Sequence, residues 1–172
     1  MKIIKFPEVK QTFDYDCGAK SVQSVLFYYG IDAREDEIMR LALTDKRKGT
    51  LISGIIRAFK KYRLKTISGK MDIKKIKEFI NKEIPVIILL QSWAGGKISN
   101  WQDNWKDGHY AVAIGYDSKK IYFEDPYSFV KTYLSYSELE ERWHGMDGKK
   151  KCFNYGIAVL GKKRKKNIIH MG

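Results

Sequence analysis

The chain has 172 residues, 44% hydrophobic and 31% charged, with a formal net charge of +13. That length suits one well-buried core and is short for two domains, and the composition excludes wholesale disorder. Two cysteines, Cys17 and Cys152, give neither a disulfide framework nor a metal-ligand spacing, the opening Met-Lys-Ile-Ile-Lys-Phe-Pro is too short for a signal peptide, and no run reaches membrane-spanning length. A cytoplasmic setting is therefore expected.

Taken in order, Ile3 to Val9 reads as a short extended lead-in, with Pro7 making it a poor central strand. Ala19, Val22, Leu26 and Tyr29 recur at helical spacing, Val25 widens the stripe, and Gly30 is the stop. Asp32 and Glu35 stand at capping-box spacing before Ile38, Leu41 and Ala42, which predicts a second helix. Asp45 to Gly49 is a charged loop. Leu51, Ile55, Phe59 and Tyr62 give a third helix, mildly interrupted by Gly54. A short strand at Leu64 to Ile67 precedes a fourth helix, capped by Asp72, carrying Ile73, Ile76, Phe79 and Ile80 and ending before Pro85.

From Pro85 the period changes. Val86 to Leu90 is continuous and rich in β-branched residues, a strand buried on both faces. Ala94 to Gly108 is a long Gly-, Asn-, Asp- and Trp-rich connection of the kind that is usually functional. Tyr110–Tyr116 and Ile121–Glu124 flank Asp117-Ser118-Lys119-Lys120 as a hairpin. Ser137 to Trp143 reads as a short helix capped by Ser137 with Glu140, Phe153 to Leu160 as a last strand, and residues 162–172 as a basic tail behind a single domain of residues 1–161. Helices early and strands late predict an α+β fold with an antiparallel sheet.

Cys17 falls in the first turn of its helix, where unpaired backbone N–H groups and the positive end of the dipole favour thiolate over thiol. Asp16 opposes that charge, and also stands where a helix cap would. A cysteine hydrolase needs in addition a histidine, a group to orient it and an oxyanion donor. His109 lies at the mouth of the expected hairpin and Asp125 at the open end of its partner strand, within one side-chain reach given the rise of about 3.3 Å per residue. Gln11, six positions before Cys17, can offer its amide beside the Cys17 N–H.

These residues carry a resemblance. Gln11 to Gly30, with Asp-Cys-Gly-Ala and Tyr-Tyr-Gly, resembles the active-site helix of the bacteriocin-processing, double-glycine-leader cysteine peptidases, which are papain-like in fold. Gly49-Thr50-Leu51, Pro85-Val86-Ile87 with Trp93, Gly108-His109-Tyr110-Ala111-Val112 and Asp125-Pro126 fall in that family's order, so the resemblance spans roughly residues 10–127. It implies Cys17 as nucleophile, His109 as base, Asp125 as orienter, Gln11 as oxyanion donor, and a peptide or protein substrate with no metal or organic cofactor. No transporter domain accompanies these residues, so the best-known substrate class does not carry over.

Other readings stand beside this one. The same fold could bind a leader or tail peptide without cutting it, and the same residues could serve a thiol-dependent amidase or acyltransferase. Trp93, Trp101 and Trp105 could line a cleft, form a lid, pack in the core or anchor the loop. Cys152 reads as a packed strand residue. Zinc held by Cys17, His109, His144 and Cys152 lacks any local ligand pair. Lys149–Lys151 and Lys162–Lys166 lack aromatic interleaving, so a solvated basic surface is expected rather than a nucleic-acid site.

Overall fold

The helical recurrence after Cys17 becomes α1 (Cys17–Tyr28), in which Ala19, Val22, Val25 and Leu26 are wholly buried. Burying Val22, Val25 and Leu26 contributes roughly 1.5–3 kcal/mol each, which holds a helix that would be marginal alone. Gly30 then takes φ +73°, the left-handed turn that ends it. The computed structural model describes residues 1–97, 100–164 and 170–171. Lys165 and Lys166 of the expected tail, and Ile98 and Ser99 of the long connection, lie outside the described residues.

Three more helices precede the main strands: α2 (Glu35–Ala42), α3 (Ile52–Lys61) and α4 (Ile73–Asn81). Asp72 caps α4 as expected, its Oδ1 accepting the Lys75 N–H at 2.7 Å. The cap expected for α2 is not used. Arg34 occupies the N-cap position without a side-chain bond, and Glu35 turns away, accepting from Thr12 Oγ1 and pairing with Lys20 Nζ, each at 2.8 Å. Gly54 is more than an interruption of α3. A Cβ there would stand 2.1 Å from the Ala42 carbonyl oxygen, so glycine is what lets α3 cross α2.

The strands are β1 (Lys2–Ile3), β2 (Lys65–Lys70), β3 (Val86–Gln91), β4 (Gly108–Tyr116), β5 (Lys120–Glu124) and β6 (Thr132–Ser135), then helix α5 (Tyr136–Arg142), then β7 (His144–Asp147), β8 (Lys150–Phe153) and β9 (Tyr155–Leu160). Seven of them form one antiparallel sheet in the order β2-β9-β3-β4-β5-β6, with β1 pairing the far end of β4, and β7–β8 make a separate hairpin. Every residue of β3 is buried, as its unbroken apolar run predicts. Helices α1 and α4 lie against β4, and α5 and β7 against β3. The α+β expectation holds.

Two details differ from the sequence reading. The last helix is capped by Ser135 with Glu138, not Ser137 with Glu140. Both pairs have capping-box spacing, and β6 delivers the chain to the first of them, leaving Ser137 inside the helix. The run from Phe153 to Leu160 is not one strand, because Asn154 takes φ +51° and separates β8 from β9. The first tail residues lie against the body: Arg164 N–H donates to the Tyr29 carbonyl at 3.0 Å, and Lys163 Nζ meets Glu83 at 3.0 Å. No helix among the described residues is long and apolar enough to cross a membrane.

Candidate active site

Position comes first from the meeting of α1 and β4. Ser21, one turn beyond Cys17, is buried and donates its hydroxyl to the Tyr110 carbonyl at 3.3 Å. Gly18 permits the approach, since a Cβ there would stand 2.7 Å from Thr50 Cβ and 3.1 Å from the Tyr110 ring. The start of α1 is thereby held beside the residue that follows His109. Cys17 is half-buried there, and its sulfur is near enough to the His109 ring to raise the imidazole pKa. Both cysteines are free.

His109 sits on β4 opposite Leu90 and is buried. Its Nε2 lies 2.7 Å from Asp125 Oδ1. With Nε2 taken, Nδ1 is the ring nitrogen left to the Cys17 sulfur. Burial alone would push the imidazole pKa down. The hydrogen bond to Asp125 and the Cys17 sulfur outweigh it, and the value rises to about 9. The register places Glu124 opposite Val112, so Asp125 emerges at the open end of the hairpin as the spacing predicted.

Asp125 is saturated with donors. Its Oδ1 also accepts the Tyr127 N–H at 3.0 Å, while Oδ2 accepts from Trp93 Nε1 at 3.0 Å and Thr132 Oγ1 at 3.1 Å. Burial raises the pKa of this carboxyl, but the His109 bond and the other donors carry it below the usual carboxylate range. Trp93 holds φ +58° and stacks on Tyr127 with centroids 4.4 Å apart. At 46% exposed it is not core packing. Thr132 escaped the sequence reading because β6 did; an isolated threonine in a loop-like stretch gives no signal. Gln91 escaped for a similar reason, as an amide ending an apolar run. It is wholly buried, and its Oε1 accepts the Asp107 N–H at 3.0 Å while its Nε2 donates to the His144 carbonyl at 3.1 Å. Together with Ser92 N–H to Asp107 O at 3.0 Å, this closes the base of the long connection one step before β4.

Gln11 is tied to the same region by its backbone, whose N–H donates to the Pro126 carbonyl at 2.7 Å. Its side-chain Nε2 donates to the Phe13 carbonyl at 3.0 Å, and Oε1 is buried without a partner. One amide hydrogen therefore remains uncommitted. Asp16 occupies the N-cap position of α1, yet its carboxylate does not cap the helix. Oδ2 accepts the Thr12 and Phe13 N–H groups, each at 3.1 Å, and so shapes the turn leading to Cys17. Burial, and the neighbouring Glu35 carboxyl, push Asp16 up to about 6.

Of the remaining tryptophans, Trp101 lies against the Arg142 guanidinium and Trp105 against His144 and Phe153. A groove of about 470 Å³ opens beside Cys17, bounded by Tyr15, Thr50, Leu89, Trp105 and Tyr110. A second cavity of about 320 Å³ lies on the other side of the His109–Asp125 pair, lined by Trp93, Thr132, Leu134 and Arg142 among others. The four residues suggested as zinc ligands form no such group, since among the described residues there is no cluster of three or more metal-binding side chains.

The architecture is shared with solved structures. The peptidase domain of Streptococcus ComA, a bi-functional ABC transporter involved in a quorum-sensing pathway, aligns with a TM-score of 0.68 at 24% identity, covering 92% of this chain and 99% of that one. A C39-like peptidase from Bacillus anthracis aligns at 0.71 and 16% identity, covering 95% and 100%. A double glycine motif protease from an AMS/PCAT transporter, solved with its leader peptide, aligns at 0.67 and 20%, covering 92% and 93%. Among curated proteins no relative matches the chain. The Peptidase C39 family model matches residues 5–147, a span that holds Cys17, His109 and Asp125 together, and the chain belongs to that family.

Proposed function

We propose that this chain is a cysteine peptidase in which Cys17 is the nucleophile, His109 the acid–base group, Asp125 its orienting partner and Gln11 an oxyanion donor. The observation that carries the reading is the 2.7 Å bond from His109 Nε2 to Asp125, which leaves the opposite ring nitrogen to the Cys17 sulfur. The sulfur attacks the scissile carbonyl carbon. The oxyanion is received by the Cys17 N–H and the second amide hydrogen of Gln11. His109, carrying its proton, gives it to the leaving amine as the C–N bond breaks. It then takes a proton from water, which attacks the acyl-thioester and frees Cys17. Asp125 keeps the imidazolium oriented throughout.

The substrate class proposed is a peptide or protein with a removable leader or tail, supported by the leader peptide held in the related double glycine motif protease. The test is alkylation of Cys17 by iodoacetamide at neutral pH, with His109→Ala alongside. Fast labelling in the native protein and slow labelling in the variant is the expected result. Equal, slow labelling in both, with Cys17 shown to be accessible in the folded state, would favour a binding module of the same fold. Cys17→Ala is expected to retain the fold and lose all turnover.

A further inference from the structure

The groove beside Cys17 has a one-sided charge. Lys46, Arg47, Lys48, Lys106 and Lys149 all line it, and Asp14 is the one carboxylate on that lining among the described residues. None of the five cations makes an ion pair within 4 Å among the described residues. All five side chains are exposed.

Three nearby acids, Asp45, Asp147 and Asp107, keep their charge but are hydrogen-bonded elsewhere and pair with none of the five cations among the described residues. Asp45 Oδ1 accepts the N–H groups of Arg47 and Lys48, at 2.7 and 2.9 Å, and the Asp45–Gly49 backbone bridge closes the loop, so the three cations stand on a fixed turn. Asp147 Oδ1 accepts the Ile52 N–H at the start of α3, at 2.9 Å, and makes no ion pair with Lys149 among the described residues. Asp107 Oδ2 is held by Asn104 Nδ2 at 2.7 Å. The cations come from three separate elements, namely the loop before α3, the end of the long connection and the β7–β8 turn, and converge on one groove that contains the thiol. A scattered lysine surface does not require such convergence.

We infer that this groove selects substrates whose segment next to the scissile bond carries acidic side chains, an inference that rests on the peptidase reading of Cys17. Cations around a cleft raise the local concentration of an anionic partner. The binding partner is a carboxylate-bearing peptide rather than a nucleic acid, because the groove ends on a nucleophile and is bounded by the backbone flanking His109.

The test uses alkylation of Cys17 by iodoacetamide in the intact protein, measured with protecting peptides at low salt. Acetyl-Glu-Glu-Glu-Gly-amide is compared with its glutamine counterpart, and a single-stranded oligonucleotide of equal charge is included. The glutamate peptide is expected to protect at about tenfold lower concentration or better. That advantage should fall severalfold in K46Q/R47Q/K48Q, which leaves Lys106 and Lys149 in place, and should shrink at 1 M salt, where screening acts within about 3 Å. The same variant should lower the ratio of iodoacetate to iodoacetamide rates by about tenfold. Equal protection by the two peptides, an advantage undiminished in the triple variant, or stronger protection by the oligonucleotide would each overturn the inference. A slow iodoacetamide rate that His109→Ala does not alter would instead overturn the peptidase reading, so the two failures are distinguishable.

Discussion

At the scale of single residues, two carboxyls close to the thiol behave in opposite ways because their partners differ. Asp125 receives four donors and stays ionised; Asp16 faces Glu35 and keeps its proton to about 6. For Asp16 the folded value lies above the ordinary 3.8, so stability is greatest below about pH 3.8 and falls as pH rises to about 6. An asparagine can still accept from Thr12 and Phe13 N–H while donating to Glu35. Asp16→Asn is therefore expected to gain stability relative to the native chain between pH 4 and pH 8, by on the order of 1–3 kcal/mol in urea unfolding. A constant difference across that range would show that Asp16 does not titrate there. His109 has the same sign, its value of about 9 lying above 6.5, while Asp125 lies below its ordinary 3.8, so the His109–Asp125 pair stabilises fully between about pH 3.8 and 6.5, fades in acid as Asp125 takes a proton, and is lost as pH climbs through about 9. Trp93→Phe removes one of the donors on Asp125, and a loss of about 1 kcal/mol corresponds to roughly fivefold in kcat. The folded-state circular dichroism should not change; an unaltered kcat would return Trp93 to the role of loop anchor.

Among elements, the junction of α1, the Thr50 segment and β4 sets where the sulfur stands. Gly18→Ala would push a methyl into Thr50 and Tyr110, and is expected to lose about 1–3 kcal/mol of stability and to slow Cys17 alkylation together. Loss of stability with the labelling rate intact would separate the packing of α1 from the placement of the thiol. Much of this junction was legible in the chain. The stripe from Ala19 to Tyr29 gave α1, and the two runs around Asp117–Lys120 gave the hairpin that joins His109 to Asp125, because both signals are local and periodic. What stayed hidden depends on tertiary choice. The cap at Ser135 rather than Ser137, the diversion of Glu35 to Lys20, and strand β6 are each decided by a neighbour more distant in sequence. The donor role of Trp93 is of this kind too, as it reaches Asp125 across 32 positions.

For the whole molecule, the sheet order carries the main consequence. Strand β9 lies between β2 and β3, although it follows residue 147, where the family match ends. Its central residues Ile157, Ala158 and Val159 are buried, and Tyr29 donates its hydroxyl to the Val159 carbonyl at 2.6 Å. Residues 1–161 are thus expected to unfold in one urea transition seen alike by tryptophan emission and far-UV circular dichroism. A chain ending at residue 149 is expected not to fold, and a stable, well-dispersed product of that length would refute the dependence. The placement of β9 also bears on how the protein is born. At about 5–20 residues per second, synthesis from Cys17 to Leu160 takes roughly 7–30 s. Until Leu160 has emerged the sheet lacks its inner strand, and the thiol, made first, has no settled imidazole to meet. On the proposed reading of Cys17, a newborn chain would accordingly carry an ordinary cysteine for those seconds, and would acquire its chemistry only as the last strand slides home.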